Sequence, residues 1–456
     1  MTPTITAQLA EFATGLTHAS LPRSAREYAR NLLLDSVACA LSADFGDETR
    51  VFTDFAKAAG GPGESTIIGS GERLSLLGAT LLNGFLITST TICDAYVPAH
   101  VHITPEVVPP ALAVAERDGL DGKSLLTAVA AGAEVAVRLS AGINYSVAGP
   151  RGWHMPGIVG PFGGAAAIGW LRGFSPLQMR NALGLAASQS GGTWASWGTP
   201  TVKFHQSRGA ASGLMAGLLA EQGFKTACDA VGHPDTGLLS AFSDGGTPDA
   251  IVSELGSRFE LEKISLRLWP GGTPLQPSLT AAFELLARDN PAFDKMEQVR
   301  IEVAPAVYEA HARFAEPQGV FEALLSYPFV LACALRDRKF WLTSVGASKL
   351  ADPEIRSFMS HRVKLVANPE LSPAKSRVSI TMATGEVLSA QVDGAKGTSS
   401  NPATLEDLCA KYQDCVNGRL SPSQAAELLD LLVRVDELDD LDRLFELLGS
   451  TRAQRQ

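Results

Sequence analysis

Apolar residues recur at helical spacing through most of the first 230 positions. A capping pattern at 24–27 precedes Leu32, Leu33, Val37 and Leu41, which fall on one face of a helix. This pattern predicts a long helix that begins with a Ser24 cap.

Further helices follow from apolar runs and from their start signals. An apolar run at 83–92 and Ala-rich runs at 124–139 and 209–222 predict helices. The small residues of 209–222 predict close packing, because they let helix backbones approach. The segments 175–178 and 421–424 each place a serine cap, a first-turn proline and a glutamine in order. Each therefore predicts a helix start with a capping box.

The pattern changes to strands after about residue 262. Polar and β-branched residues alternate at 299–303, 362–366, 377–382 and 387–392, and the last two flank the short turn 383–385. Helical patterns lie between these runs. We therefore predict a mixed α+β region in this part of the chain.

Together these patterns predict a mainly α protein of two domains, which its 456 residues can accommodate. The large domain is all-helical, covers residues 1–264 and is completed by helices in 400–456. The smaller α+β domain is inserted at 265–399.

Composition narrows the class of protein. The chain is 45% hydrophobic and 19% charged, which fits a large core, and its net charge of −10 comes without a basic run. We therefore expect no nucleic-acid partner, and an anionic ligand would need a local cationic pocket. With no signal peptide, no long apolar span and six scattered cysteines, we expect no membrane association, no disulfide framework and a cytoplasmic location.

Several common catalytic motifs are missing. The sequence contains neither GxGxxG after a strand nor GxxxxGK[ST], so the usual dinucleotide and phosphate loops are not supported. Ser190 lacks the preceding glycine of a GxSxG elbow, which argues against an α/β-hydrolase.

One short segment concentrates reactive side chains. Cys93, Asp94, Tyr96, His100 and His102 lie within ten positions, directly after an apolar helical run. Loops at helix ends often display functional groups, although an ordinary polar loop is an equal reading. The spacing HxH could ligate a metal ion, but without a third nearby ligand this is a weak signal.

Two other segments carry titratable groups before predicted helices. His154 precedes a Gly- and Ala-rich helix, and Lys203, His205 and Arg208 precede the helix predicted at 209–222. Cations at a helix N-terminus could hold a carboxylate, since the backbone N–H groups there add a favourable field. The alternative for His154 is a structural histidine.

The order of these segments resembles the MmgE/PrpD family, the group of 2-methylcitrate dehydratase, cis-aconitate decarboxylase and iminodisuccinate epimerase. The resemblance covers most of the chain. It is carried by residues 32–43, 79–94, 102–113, 152–173, 181–192, 203–213 and 324–337.

The resemblance implies a large helical domain joined by both termini, a smaller α+β domain and a homodimer. It also implies a small anionic substrate and neither a metal nor an organic cofactor. Reactions of the family start at a carbon beside a carboxylate, where a proton or a carboxylate leaves and the developing negative charge is stabilised.

Several polar positions match the family's motifs. Asp94, His102, His154, His205 and Arg208 coincide with motif positions, and the motif lysine falls one place late at Lys203.

Other positions depart from the motifs. Thr91 and Cys93 replace two acids, Arg267 replaces a lysine, and Phe329 replaces a tyrosine, with Tyr327 two residues earlier. Arg267 keeps a positive charge but cannot act as a base, because guanidinium does not deprotonate in proteins. These departures indicate a divergent member with an altered substrate or reaction, and we favour core packing for Phe329.

The resulting hypothesis is a cofactor-independent lyase acting on a small polycarboxylate by α-proton abstraction, with elimination of water as the leading outcome. His102 or His154 is the base and the other the acid, Asp94 orients an imidazole, and a cation would make Cys93 an alternative base. We assign to catalysis His102, His154, Asp94, Cys93 and Lys203. We assign to substrate binding Arg208, His205, Arg267, Tyr327 and Thr91.

Two enzymatic alternatives and one of another class remain open. Decarboxylation needs a proton donor placed against the carbon that loses CO2. Epimerisation, as an isomerase would perform it, needs a base and an acid on opposite faces of one carbon, which Cys93 and a histidine could supply. A non-catalytic protein that binds a ligand would explain the lost motif residues but not the retained histidines.

Overall fold

Helices form nearly all of the regular structure in the N-terminal part of the chain. The structure, a computed structural model, describes residues 3–43 and 47–450. Within these residues the chain divides into two compact units. The first contains residues up to Leu266 together with those from Leu408 onward, and the second is Arg267–Asp407.

The first unit contains a helical core and a small two-stranded sheet. Its helices before the second unit are α1 Ile5–Gly15, α2 Arg23–Leu41, α3 Asp47–Gly60, α4 Leu76–Ser89, α5 Thr104–Asp118, α6 Gly122–Gly142, α7 Tyr145–Ala148, α8 Met155–Leu171, α9 Pro176–Ala187, α10 Thr201–Glu221, α11 Leu238–Ser243 and α12 Pro248–Val252. The antiparallel strands are β1 Pro62–Thr66 and β2 Arg73–Leu74.

The second unit combines a four-stranded sheet with short helices. Its helices are α13 Gln276–Asp289, α14 Pro305–His311, α15 Val320–Ala323, α16 Tyr327–Asp337, α17 Ala347–Leu350 and α18 Pro353–His361. Its strands are β3 Met296–Val303, β4 Val363–Ala367, β5 Ser376–Met382 and β6 Val387–Val392. The chain then forms α19 Leu405–Val416, α20 Pro422–Val433 and α21 Asp442–Leu448, and the division between the units falls within α19.

The sheet of the second unit has the order β4-β3-β5-β6. β3 and β4 are parallel, and the other neighbours are antiparallel. The predicted hairpin is confirmed as β5 and β6, with Gly385 at a φ of 84° in the turn, where glycine avoids the steric cost. Val299, Ile301, Val378 and Ile380 face the core, which fits the alternation seen in the sequence.

Two of the three predicted capping boxes are found at helix starts. The capping boxes of α9 and α20 are confirmed: Ser175 pairs with Gln178, and Ser421 with Gln424. The capping box predicted at 24–27 is wrong, because α2 begins at Arg23 and its N-cap is Pro22. Proline suits a helix start without any side-chain cap, since it has no N–H to satisfy. The predicted mainly α fold with a small α+β part is confirmed.

The centre of the first unit is a close contact of α8 with α6 and α10. A Cβ atom added to Gly213 of α10 would lie 2.7 Å from both Gly164 Cα and Pro161 O of α8. One added to Gly132 of α6 would lie 2.6 Å from Gly163 O. The helix backbones therefore approach at distances that only glycine permits.

A buried ion pair joins α6 to the segment after α12. Glu134 and Arg138 are both fully buried, with 2.6 Å between Glu134 Oε1 and Arg138 Nε. The Arg138 guanidinium also donates to four main-chain carbonyls within 251–258, and Glu134 accepts from the N–H groups of Glu260 and Leu261. The pair is thus surrounded by hydrogen bonds, as a buried charge requires.

The same helix is the one described segment long and apolar enough to cross a membrane. Within α6, 94% of the most apolar stretch of 18 residues is buried inside the protein. Its hydrophobicity is therefore explained by its position at the core.

We expect the substitution Gly213→Ala to destabilise the fold by about 1–3 kcal/mol, because the added methyl group meets the α8 backbone. The midpoint of urea unfolding measures the change. Gly15→Ala at the end of α1 is the control, since its Cβ meets nothing within 4 Å. Equal midpoints for the two variants would contradict the close approach of α8 and α10.

Candidate active site

The loop between α4 and α5 is held by main-chain hydrogen bonds. Ala95 exchanges two bonds of 2.8 Å with Ser265, and Tyr96 N–H donates to Val101 O at 2.7 Å. Thr91 and His100 have positive φ angles of 57° and 49°. These conformations are uncommon for residues other than glycine, so the loop contains local strain that its anchors hold in place.

Asp94 in this loop caps α5. Its carboxylate accepts hydrogen bonds from Ile103 N–H at 2.9 Å, Thr104 N–H at 3.1 Å and the Thr104 hydroxyl at 2.6 Å. The side chain is fully buried. Its negative charge meets the first N–H groups of a helix, where the field of the helix is favourable.

The main chain of Asp94, and not its side chain, orients His102. The carbonyl oxygen of Asp94 lies 2.6 Å from His102 Nδ1. The expectation that the Asp94 carboxylate would orient an imidazole is therefore corrected: the carboxylate is engaged at the start of α5. A carbonyl oxygen can only accept, so Nδ1 carries the proton and Nε2 is the basic nitrogen of His102.

Cys93 contacts the same imidazole. Its sulfur lies 3.7 Å from His102 Nδ1, and the residue has no exposed surface. The Cys93 thiol and the Asp94 carbonyl therefore both contact the His102 ring, while the Asp94 carboxylate holds the start of α5.

Two further imidazoles form a pair where α8 and α10 meet. His154 precedes α8, His205 belongs to α10, and their Nδ1 atoms are 2.9 Å apart. The two residues are 4% and 7% exposed. A hydrogen bond between two Nδ1 atoms requires a proton on one of them, so one ring has its lone pair at Nε2 and the other has its proton there.

Burial keeps this pair uncharged. Burial, followed by the nearby His205 and His102, lowers the pKa of His154 to about 3. Burial and then Arg208 also lower the pKa of His205. Near neutral pH each ring is therefore neutral, and each can accept or pass a proton without first losing one.

The segment 203–208 lies within a helix and not before one. α10 begins at Thr201, eight residues earlier than predicted, so the interpretation of Lys203, His205 and Arg208 as a loop at the N-terminus of the 209–222 helix is wrong. A helix places residues three and four positions apart on one side, and His205 and Gly209 both face α8 and its neighbours.

Lys203 and Arg208 both have protein partners. Lys203 Nζ lies 3.1 Å from Glu48 Oε2. The Arg208 guanidinium donates to the carbonyls of Gln189 at 2.8 Å, Gly191 at 2.6 Å and Gly157 at 3.1 Å. Arg208 therefore clamps the loop after α9 to the first turn of α8, and substrate binding by either residue stays a prediction.

Two tryptophans lie beside the histidine pair. The Trp194 ring centroid is 5.2 Å from that of His154, and Trp197 stacks on Trp194 at 6.3 Å. Trp197 is 40% exposed, so the aromatic stack extends from the buried imidazole toward solvent.

The remaining predicted binding residues occupy other settings. The Thr91 hydroxyl donates to Thr90 O at 2.7 Å. Arg267 begins the second unit, is 6% exposed and donates to Gly271 O at 3.3 Å. Tyr327 is fully buried in the second unit and donates to Pro274 O at 2.6 Å, and Phe329 packs in the core there, as predicted.

Sequence reasoning missed Glu106, a buried acid in the first turn of α5. The residue is fully buried, and neither carboxyl oxygen has a hydrogen-bond partner among the described residues. A Cβ added to Gly160 of α8 would lie 2.4 Å from Glu106 Cγ, so glycine makes the room for this side chain. Burial, followed by the charge of Asp94, raises the pKa of Glu106 well above its usual value. A single acid within the apolar run 101–115 was the available signal.

The described residues contain no group of three or more histidine, cysteine or acidic side chains placed to hold a metal ion. In the HxH segment, the ring of His100 stacks on Tyr145 with centroids 4.4 Å apart, while His102 is bonded to Asp94 O.

The structure thus combines a mainly helical unit with His102 in one loop and the buried pair of His154 and His205. The family model described as the MmgE/PrpD N-terminal domain matches residues 7–250, and that of the MmgE/PrpD C-terminal domain matches residues 269–437. The chain belongs to the MmgE/PrpD family.

The relatives described below are all cis-aconitate decarboxylases. The chain is 25% identical to a cis-aconitate decarboxylase of Aspergillus terreus, over 98% of this chain and 96% of the relative. It is 26% identical to the cis-aconitate decarboxylases of Mus musculus, over 93% and 89%, and Homo sapiens, over 98% and 95%.

The buried Glu106 predicts an unusual dependence of stability on pH. Its pKa is raised on folding, so its contribution is fully present below the unfolded value near 4.5 and is lost as pH rises toward the folded value. Between these values a single such group lowers the unfolding free energy by about 1.4 kcal/mol per pH unit.

We therefore expect Glu106→Gln, which does not titrate, to lose less stability than the unsubstituted protein between pH 5 and pH 8. Urea unfolding across this range measures the difference. The exposed Glu11→Gln on α1 should follow the unsubstituted protein. Parallel curves for Glu106→Gln and the unsubstituted protein would show that Glu106 is ionised in the fold.

Proposed function

We propose that this protein is a lyase that removes CO2 from a small unsaturated polycarboxylate without a cofactor, with cis-aconitate as the first candidate substrate. The observation that carries the proposal is the buried, uncharged pair of His154 and His205. The activity of the relatives supports decarboxylation over elimination of water, the leading outcome of the sequence analysis.

The chemistry requires a protected proton donor. When a carboxylate leaves as CO2, the electron pair of the broken C–C bond remains on the substrate and spreads into the adjacent unsaturated acid. A proton must then add to carbon in place of the lost CO2. A donor held out of bulk water places that proton at one atom and suppresses side reactions.

The histidine pair has the connectivity of a proton relay. One ring has N–H at Nε2 and the other has a lone pair at Nε2, because they share a single proton between their Nδ1 atoms. When one proton enters at the basic Nε2, the shared proton moves from one Nδ1 to the other and a second proton leaves from the protonated Nε2. Both rings have then changed tautomer. Neither ring has to store a charge, which agrees with the low pKa of His154.

Elimination of water is the second candidate, and His102 favours it. The bond from Nδ1 to Asp94 O leaves Nε2 as a base, the group needed to abstract a proton beside a carboxylate. In a decarboxylase the same nitrogen would accept a hydrogen bond from a substrate or return a proton to the pair.

The other features of the hypothesis remain predictions. We expect a small anionic substrate, a homodimer and a cytoplasmic location, and no nucleic-acid or membrane partner. The catalytic role of Lys203 and the binding of substrate by Arg208, His205, Arg267, Tyr327 and Thr91 likewise stay predictions from the sequence.

The test is release of CO2 from cis-aconitate by the purified protein in D2O, with the product examined for deuterium on carbon. Decarboxylation predicts one deuterium in the new C–H bond for each CO2. Loss of water from a hydroxytricarboxylate without CO2 would favour the second candidate. Binding with neither reaction would favour a non-catalytic protein.

We expect His154→Asn and His205→Asn each to lower kcat by about 10²–10⁴-fold, the usual range for a proton-transferring side chain. Asparagine keeps a polar atom near the Nδ1 position but has none at Nε2, so the contact survives and the relay does not. Because the rings act as a unit, the double variant should be little slower than the single variants.

His361→Asn is the matched control, since this histidine is exposed on α18. If both single variants in the pair turned over substrate at the unsubstituted rate, the relay would be refuted. If His102→Ala also had no effect, all histidine roles assigned here would be wrong.

A further inference from the structure

A lysine from α19 is buried against the loop that carries Cys93 and Asp94. Lys411 Nζ lies 2.5 Å from Asp35 Oδ1 of α2 and 2.7 Å from the carbonyl oxygen of Ile92. The Lys411 side chain is 2% exposed and that of Asp35 is 0% exposed. Lysine and aspartate are rarely buried this deeply unless they are paired.

The carbonyl of Ile92 adjoins the groups that orient His102. The next residue supplies the thiol 3.7 Å from His102 Nδ1, and the one after it supplies the carbonyl 2.6 Å from the same atom. The carboxylate of Asp94 also holds the start of α5. A rotation of the peptide after Ile92 would therefore move each of these contacts.

The backbone before Ile92 gives an independent reason for an anchor. Thr91 has a φ of 57°, a conformation that non-glycine residues avoid and that the surrounding contacts must hold. The Thr91 hydroxyl is bonded to Thr90 O, the residue just before it. The bond from Lys411 fixes the chain on the opposite side of the strained residue.

The buried ion pair explains how lysine reaches this carbonyl. An ammonium group needs several acceptors when it leaves water, and the Asp35 carboxylate supplies the charged one. Asp35 Oδ2 is in turn 3.7 Å from the Cys39 thiol. Asp35 thus holds the charge of Lys411, while Lys411 itself makes the contact with the loop.

We infer that Lys411 is a positioning residue for His102, which it acts on through the main chain of residues 92–94. The inference rests on the proposed function for its effect on turnover, but its effect on the imidazole does not depend on the reaction. Residues near the C-terminus would thereby contribute to a site assembled from the first half of the chain.

The experiment compares two variants of the full-length protein. Asp35→Asn removes the negative charge but leaves the Lys411 amine able to donate to Ile92 O, so we expect turnover within about threefold of the unsubstituted protein, because the hydrogen bond to the loop remains. Asp35→Asn combined with Lys411→Met leaves two uncharged side chains of similar volume and removes the donor. We expect kcat to fall about 10- to 100-fold, as for a misplaced catalytic group.

Nitrogen-15 NMR of the imidazoles provides the second readout, without substrate. In the unsubstituted protein and in Asp35→Asn, His102 should show one tautomer with its proton at Nδ1. In the double variant its signals should shift toward a mixture, while His361 is unchanged. If cis-aconitate is not turned over at all, the proposed function fails while this spectroscopic comparison still decides the role of Lys411.

Two results would overturn the inference. The first is a folded double variant with the kcat and the His102 spectrum of Asp35→Asn. If the double variant is unfolded, Asp35→Asn combined with Lys411→Gln replaces it, since glutamine is polar but one atom shorter than lysine. The second overturning result would be that neither combination folds. Failure of both to fold would assign Lys411 to stability alone.

Discussion

The close approach of α8 to α5 and α10 is the constraint on which the candidate site depends. His154 lies directly before α8, and His205 lies in the second turn of α10, so the spacing of these helices sets the 2.9 Å between their Nδ1 atoms. Glycines at the contacts make that spacing possible: a Cβ at Gly213 of α10 would lie 2.7 Å from Gly164 Cα of α8, and one at Gly160 of α8 would lie 2.4 Å from Glu106 Cγ of α5. With any larger residue the helices would have to separate.

Arg208 and Lys411 show how cations inside this unit serve the backbone. Each donates to main-chain carbonyls close in sequence to a histidine or to its contacts: Gly191 in the loop after α9 and Gly157 at the start of α8 for Arg208, and Ile92 for Lys411. Main-chain carbonyls in loops lack the regular hydrogen-bond partners that a helix provides. A buried side chain with several N–H groups can supply those partners and so hold the loop in one conformation. In both cases the charged side chain fixes the position of the main chain, and the pair of His154 and His205 remains neutral.

The sequence was most informative about local structure, such as helix caps, and about which side chains match the family's motifs. The capping boxes at Ser175 and Ser421 were legible because serine, proline and glutamine act within one helical turn. His102, His154 and His205 could be predicted as site residues because they coincide with positions of the family's motifs. The role of Asp94 could not be predicted, because the sequence does not show whether the side chain or the main-chain carbonyl of a residue makes a contact.

By itself, the sequence determined the mainly helical class, the mixed region with its hairpin, membership of the family and the set of histidines. Hydrophobic periodicity and turn residues act over a few positions, so they can be recognised without knowledge of the fold. Only the tertiary structure decided that His154 contacts His205, that Arg208 clamps carbonyls, that Glu106 is buried without a partner and that Lys411 reaches Ile92. These facts join residues up to 319 positions apart, and burial and hydrogen bonding at such separations depend on how helices pack.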